Sequence, residues 1–318
     1  MGCQIEYGNC DGSLEEAARP AERIGMSRLV EKQLGGIQLT GYSVAGEEAV
    51  VALPELNVCF DVGRAPREMI SIDNVCLSHG HMDHAAGIAY YFSQRGFVGL
   101  PAGQVIVHRG LAQALQRLMD VWSDIERNPS AFKINGVEHL EEVELRRDLL
   151  VRAFTTNHTD TSLGFSLIER RHKLKAEFAG KTGPELVALK KQGVAIEDRT
   201  QMVLATYTGD TALGRFLELD FVRRSQVFIV ECTFFDDDHE SRARAGRHIH
   251  VEDVPKICMA VPDARIVLTH VTRRTDMRVA KRVLYETLRG EDRERVCFLM
   301  DRPLRNPPVP TPAATQSV

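Results

Sequence analysis

Residues 77–84 read "LSHGHMDH", which places three histidines and an aspartate within six positions of a chain that has eleven histidines in 318 residues. The apolar run before them, "IDNVCL" (residues 72–77), predicts a buried strand. The stretch after them, "HAAGIAYYFSQRG", carries Ile88, Tyr91 and Phe92 at helical spacing and stops at Gly96. The cluster therefore stands where a strand hands over to a helix, a turn that aims several side chains at one point. Strand alternation puts His79 and His81 on one side, with Asp83 and His84 at the helix start facing a second position. Capping a helix needs only one Asp or Ser. Three histidines with a carboxylate point instead to a metal, zinc first, with manganese or iron as alternatives.

Further ligands are expected at other strand ends. His158 in "FTTNHTD", Asp210 in "TYTGDT" and His270 in "VLTH" each close an apolar run. The runs "GIQLTGYSV", "EAVVAL" and "NVCFDV" predict short strands ahead of the cluster. Beyond it, "QVIVH" leads into the helical "LAQALQRLMDVWSDIE", and "LLVRAFTT" pairs with "LGFSLIE". The buried strands "MVLATY" and "QVFIVEC" follow, and "ARIVLTH" leads into the helical "DMRVAKRVLYETLRG". Two β-rich halves, each finished by helices, predict an α/β fold of two sheets packed face to face with helices outside.

One interval breaks the alternation. Residues 170–200, "RRHKLKAEFAGKTGPELVALKKQGVAIEDRT", separate two strands by far more than a usual connection. From Arg170 to Lys191 there are seven Lys or Arg and two Glu, a charge run that by itself reads as a solvated insertion. Within it, "GPELVALKKQG" predicts a short helix with Pro near its start and Gly at its end.

Composition narrows the classes. With 43% hydrophobic and 26% charged residues, the chain has ample material for a core. No window approaches the roughly 18 apolar residues of a membrane helix, and the N-terminus lacks a signal pattern. Glu6 departs from the myristoylation motif. Seven cysteines, with no Cys-x-x-Cys pair and several inside apolar strands, predict buried thiols in a reduced, cytoplasmic protein. A net charge of −4 argues against nucleic acid as the default partner and leaves the basic interval as a local exception. Residues 1–25 read as a polar leader, 26–300 as one domain and 301–318 as a Pro-rich disordered tail. His108, His139, His172 and His239 have no convincing partners and read as structural or surface residues.

The order H-x-H-x-D-H, then His, then Gly-Asp, then His, resembles the metallo-β-lactamase superfamily. The resemblance implies an αββα metallo-β-lactamase sandwich with a two-metal site at one edge. His79, His81 and His158 would hold the first metal, Asp83, His84 and His270 the second, and Asp210 would bridge them. His81 stands where the oxygen-reducing diiron branch usually carries Glu, which favours hydrolysis over redox chemistry.

The stretches "VCFDVGRAPREMISIDNVCLSHGHMDHAAGI", "LRRDLLVRAFTTNH", "RRHKLKAEFAG", "YTGDT" and "VECTFFDDDHESRARAGRHIH" together are similar to ribonuclease Z. The likeness is to the short form known from plants and runs from about residue 36 to 290. The implied activity is removal of the 3′ trailer from precursor tRNA by metal-activated hydroxide, leaving a tRNA 3′-OH. Residues 170–200 would be a protruding exosite arm, with Arg171, Lys173, Lys175, Lys181, Lys190 and Lys191 as phosphate contacts. Glu231 and His248 match residues that assist catalysis, His248 as proton donor, while Asp83 would also accept the nucleophile's proton. His250, two positions on, would share the side of His248 if the segment is extended. Two departures stand out. "HVTRRT" carries Thr272 and no aromatic residue where the family usually has His-Phe-Ser-x-Arg-Tyr, and Arg247 replaces a usual Gly.

The family also implies a homodimer in which one subunit's arm presents tRNA to the other's site. Two rival readings remain. A hydrolase of a small phosphodiester, sulfate ester or lactone would share every metal ligand. A non-catalytic RNA-binding relative is opposed by the complete ligand set and the Glu231/His248 pair.

Overall fold

The apolar strands alternate between two cores rather than between core and solvent. In the strand Glu48–Leu53, Val51 and Leu53 enter one apolar cluster while Val50 and Ala52 enter another. In Val227–Glu231, Val227 and Ile229 likewise part from Phe228 and Val230. Sheets buried on both faces need a partner sheet inside and helices outside. The computed structural model, which describes residues 28–301, has that architecture. The expected leader and all but the first residue of the expected tail lie outside the described residues.

The first sheet runs in chain order through β1 (Val30–Leu34), β2 (Ile37–Ala45), β3 (Glu48–Leu53), β4 (Val58–Phe60), β5 (Asn74–Cys76), β6 (Gly103–His108) and β7 (Phe132–Val137). The second is built from β8 (Glu142–Arg146), β9 (Leu149–Thr155), β10 (Leu163–Leu174), β11 (Glu197–Tyr207), β12 (Val227–Glu231) and β13 (Arg265–Thr269). The short β14 (Val271–Thr272) crosses back to pair with β2, and β15 (Val296–Phe298) closes the second sheet beside β13. In each sheet an antiparallel half passes into a parallel half, at β4–β5 and at β11–β12.

Leu39, Phe60, Phe165, Tyr207 and Ile229 lie between the sheets, where the rings of Phe60 and Tyr207 stack at 5.1 Å. Helices α1 (Met82–Ala85), α2 (Ile88–Phe97) and α3 (Arg109–Glu126) lie beside the first sheet, and α2 and α3 close its outer core. A further helix, α4 (Gly183–Lys191), belongs to the basic interval. On the second sheet, α5 (Asp220–Arg223), α7 (Val254–Ala260) and α8 (Met277–Thr287) fill the other outer core, while α6 (Glu240–Gly246) and α9 (Asp292–Arg295) are short connectors.

Sequence periodicity does not reveal β1, β7 or β8, and each is an edge strand. β8, "EVELR", has no buried residue, and β1 and β7 bury one each. Charged side chains on an edge oppose intermolecular pairing, and they also erase the apolar signature. The basic interval differs from the sequence expectation as well. It does not interrupt the strands, because β10 and β11 pair onward to Leu174↔Glu197. Burial falls away along β10, from Leu163–Ile168 inside to Arg171–Lys173 exposed. The connection proper is therefore 175–196, in which only Ile196 is buried. Its α4 starts with a capping box, in which Thr182 and the Glu185 side chain satisfy each other's backbone groups.

Candidate metal centre

Every strand that delivers a site residue ends on the same edge of the sandwich. Asp61 follows β4, the His79–His84 cluster follows β5, and His158 lies just beyond β9. Asp210, Glu231 and His270 follow or end β11, β12 and β13. Carboxyl ends of parallel strands are where α/β sheets place ligands. One local expectation is corrected. His79 and His81 are not on strand β5, which stops at Cys76; they sit in the loop beyond it, and His81 is the N-cap of α1. The loop still converges them, with His79 Nε2 3.0 Å from His81 Nδ1.

The seven expected ligands fall into two adjoining groups. In the first, His158 Nε2 lies 3.3 Å from His81 Nδ1, and Asp210 Oδ2 lies 3.8 Å from His79 Nε2 and 4.0 Å from His158 Nε2. In the second, Asp83 Oδ2 lies 3.8 Å from His84 Nε2 and 3.4 Å from His270 Nε2. Asp210 reaches the second group too, with Oδ1 3.3 Å from His84 Nε2 and Oδ2 3.3 Å from His270 Nε2. His248 also falls within ligand reach of Asp210 and His270.

This arrangement fits divalent ions. A four-coordinate zinc with ligands about 2.0–2.1 Å away sets them about 3.4 Å from one another, close to the spacings seen here. His84 Nε2 is buried with no hydrogen-bond partner, even though Asp210 Oδ1 is near. A buried ring nitrogen without a partner, aimed at other ligand atoms, is what an ion would satisfy.

The outward ring nitrogens are held by a surrounding shell, as metal-binding histidines require. Ser78 Oγ is 3.0 Å from His79 Nδ1, Thr233 Oγ1 3.2 Å from His270 Nδ1, and the Arg247 carbonyl 3.4 Å from His158 Nδ1. Asp61 Oδ2 is 2.6 Å from His84 Nδ1. The Asp61 carboxylate, with no solvent exposure, also accepts from Ser78 N, Ser78 Oγ and Tyr207 Oη at 2.7, 2.8 and 2.6 Å. Asp61, His270 and Arg247 all have left-handed backbones, with φ of 54°, 61° and 54°. Such conformations cost free energy and concentrate at functional sites. Gly209 (φ 62°) lets the chain turn into Asp210, because a Cβ there would meet Ser78 Cβ at 2.5 Å.

Electrostatics follow from this crowding. Burial, reinforced by the neighbouring His84, pushes His79 down to about 3, so its imidazole is neutral. Burial also lowers His158. For His84, burial works against the charged form, but the carboxylates of Asp210 and Asp61 outweigh it and hold the imidazole well above its ordinary value. For Asp210 and Asp83 the burial penalty is likewise overcome, chiefly by His270 and His84, so both carboxylates stay ionised.

Glu231 is fully buried, and its Oε1 accepts from Thr211 N and contacts His248 Nδ1, both at 2.7 Å. Thr233 Oγ1 and Ile249 N donate to its Oε2 at 2.6 and 3.2 Å. Burial lowers His248, but the Glu231 carboxylate outweighs it and raises the imidazole. His250 does not share this position. Its Nε2 faces the Asp236 carbonyl at 3.1 Å and its Nδ1 accepts from Glu252 N, so it caps a turn.

His108 caps α3 and His139 accepts from Thr155 N, as structural residues do. His239 lies 3.3 Å from the Asp236 carboxylate and lines the 860 Å³ cavity that also holds His81, Asp83, Asp210, His248 and His270. The arm residues Arg171, Lys173, Lys181, Lys190 and Lys191 are exposed and Lys175 is half-buried; none lines this cavity. Lys190 and His172 both reach Glu197, at 2.6 and 3.4 Å, which pins α4 to the base of β11.

Asp61, Ser78 and Thr233 escape the sequence reading. Asp61 had a usable signal, because "VCFD" closes an apolar run on a carboxylate just as "TYTGD" does. We expect Asp61→Asn to weaken divalent-ion binding about 10- to 100-fold while leaving the chain folded, read by chelator competition and circular dichroism. Unchanged affinity would remove Asp61 from the support of the site.

Comparison with known proteins agrees with this geometry. Residues 54–271 match the family model described as "Beta-lactamase superfamily domain". A tRNase Z of Arabidopsis thaliana is 31% identical over 258 residues, covering 78% of this chain and 90% of the relative. A nuclear ribonuclease Z of Triticum aestivum is 35% identical over 164 residues, 52% of this chain and 93% of the relative. Among solved structures, the metallo-β-lactamase fold protein YhfI of Bacillus subtilis aligns with a TM-score of 0.57 at 15% identity, over 82% of this chain and 95% of that one. The short form of human tRNase Z aligns with a TM-score of 0.52 at 16% identity, over 74% and 93%. With the fold, the ligand order and the Glu231/His248 pair already in place, these likenesses mean that the chain belongs to the metallo-β-lactamase superfamily and, within it, to the ribonuclease Z family.

Proposed function

We propose that this protein is a divalent-metal endoribonuclease that removes the 3′ trailer from precursor tRNA and leaves a 3′-OH on the tRNA. The observation that carries the proposal is the Glu231–His248 pair, bonded at 2.7 Å beside the cavity that holds the ligand cluster. Hydrolysis of a phosphodiester needs a proton delivered to a poor leaving group, and this pair is built to deliver one.

His79, His81 and His158 would hold one ion, Asp83, His84 and His270 the other, and Asp210 would bridge them; imidazole with carboxylate favours zinc. When bound, the ions supply Lewis acidity that makes water a nucleophile near neutral pH and polarises the phosphate. Glu231 fixes the tautomer and orientation of His248 through Nδ1. His248 Nε2 has no hydrogen-bond partner among the described residues and is free to protonate the leaving 3′-oxygen. Asp83, ionised and anchored by Gly46 N at 2.8 Å, takes the proton released by the nucleophile. Arg171, Lys173, Lys175, Lys181, Lys190 and Lys191 on the basic arm would grip tRNA phosphates at a distance from the metals.

We also infer a homodimer. Phe97 and Val98 at the end of α2, with Leu118, Val121, Trp122 and Ile125 on α3, expose apolar surface, and Phe97 is 85% exposed. An apolar patch of this kind on a soluble chain marks an interaction face. The free cysteines, four of them buried, suit a reducing compartment such as the cytoplasm. Among the described residues no helix is long and apolar enough to cross a membrane.

The deciding experiment is to incubate zinc- or manganese-loaded protein with end-labelled precursor tRNA and map the product. We expect one cut after the discriminator base, abolished by chelator. No cut, together with brisk turnover of bis(p-nitrophenyl) phosphate, would instead support a small-diester hydrolase. Binding of tRNA that chelator leaves unchanged, with no cut, would support a non-catalytic binder.

Deleting 173–197 is expected to abolish tRNA processing while small-diester hydrolysis persists. Loss of both activities would make the arm a folding element. Trp122→Glu is expected to shift sedimentation from dimer to monomer, and a wild type that sediments as a monomer would dismiss the dimer.

A further inference from the structure

The cavity over the ligand cluster encloses 860 Å³, in the upper part of the range for small-ligand pockets and more than one phosphate diester fills. Apart from the ligands and His248, its wall carries four arginines, Arg64, Arg242, Arg273 and Arg274, against two acids, Glu47 and Asp236. Two of the arginines are committed. Arg273 lies 3.4 Å from the Glu47 carboxylate, and Arg64 donates to the Glu47 carbonyl at 3.1 Å.

The other two are not neutralised. Arg242, on α6, contacts only the ring of His239 (3.2 Å) among the described residues. Arg274, beyond β14, is exposed and has neither a hydrogen bond nor an ion pair there. Phe234 is half-buried on the same wall, its ring 6.1 Å from that of His248 and 5.8 Å from that of His239.

We propose that Arg242 and Arg274 form a subsite for a second phosphate, next to the one held over the metal ligands, with Phe234 as the stacking surface for the base between them. The inference rests on the nuclease reading above and extends it: the site takes an oligonucleotide rather than an isolated diester. Guanidinium matches phosphate in shape and charge, and an arginine with no carboxylate partner keeps its full attraction for an incoming anion. An aromatic face beside a cationic groove is the general arrangement for single-stranded nucleic acid. The two arginines come from segments 32 residues apart in sequence, so the subsite exists only in the folded cavity.

The test is direct binding to metal-loaded protein by fluorescence anisotropy, so it does not depend on turnover. Two labelled probes are compared: a 5′-phosphorylated trinucleotide, and the same trinucleotide with uncharged methylphosphonate linkages. Wild type is expected to favour the charged probe by about tenfold or more, the worth of a charge-assisted hydrogen bond. That preference is expected to shrink in Arg242→Gln and Arg274→Gln, and in the double variant to fall to the part that the diester over the metal ligands supplies alone. The salt dependence of binding is expected to flatten by about 0.7 per arginine lost.

A wild type indifferent to linkage charge, or a double variant whose preference and salt dependence equal those of the wild type, would overturn the subsite. Both side chains are exposed, and unchanged thermal unfolding of the variants would exclude misfolding as the cause of a loss. An arginine-dependent preference in a protein that leaves precursor tRNA uncut would retain the subsite and reject the tRNA assignment. Cutting of tRNA without the preference would do the reverse.

Discussion

The Asp61 carboxylate is the contact on which the site depends. It has no exposure, and it meets four polar neighbours, Ser78 N at Oδ1 and Ser78 Oγ, His84 Nδ1 and Tyr207 Oη at Oδ2. A carboxylate taken out of water is tolerated only when it is saturated with donors. Here the saturation ties together a strand end of the first sheet, the ligand loop, the first turn of α1 and the last residue of β11 on the opposite sheet. The two sheets are thereby locked in register at the edge where the ligands converge. His84 has one orientation because Asp61 holds its Nδ1, and burial raises the stakes, since a displaced ring would strand two polar groups.

Glu231 repeats this logic on the second sheet. Both acids are fully buried, both accept from a backbone amide and a neighbouring hydroxyl, and both address the Nδ1 of a histidine. The outcomes differ because the histidines face different surroundings. His84 turns its other nitrogen to Asp210 within the ligand cluster, whereas His248 turns toward an open cavity. In the proposed mechanism one carboxylate–histidine pair would serve ion binding and the other proton delivery, from a shared structural device. Left-handed backbones at Asp61, Arg247 and His270 are the local cost of aiming these groups inward.

The remainder of the molecule decides what reaches that centre. The basic hairpin extension presents exposed cations that do not line the cavity, and in the proposed function they would grip the tRNA there. The cavity wall adds two unpaired arginines and an aromatic face close to the ligands. A small neutral ester would use neither feature. The relatives are named tRNase Z and ribonuclease Z, and a wall with two arginines that lack carboxylate partners is compatible with a polyanionic substrate.

Much of this was legible before any fold was known. The histidine–aspartate cluster is a local signal, since six consecutive residues on one turn are close in space whatever surrounds them. His158, Asp210 and His270 were legible as well, because an abrupt polar residue at the end of an apolar run marks a strand end. The edge strands β1, β7 and β8 were not, because their exposure replaces apolar alternation with charge. Nor did strand alternation locate His79 and His81, which lie past the end of β5. The role of Asp61 needs partners 17, 23 and 146 residues away, and the Arg242–Arg274 pairing needs two distant segments on one cavity wall. The sequence by itself determined the ligand chemistry and the sandwich, because both follow from residue type and short-range spacing. Only the tertiary structure decided the tautomers, the saturated buried carboxylates and the shape of the cavity, because hydrogen bonds and desolvation act between atoms that the chain brings together only on folding.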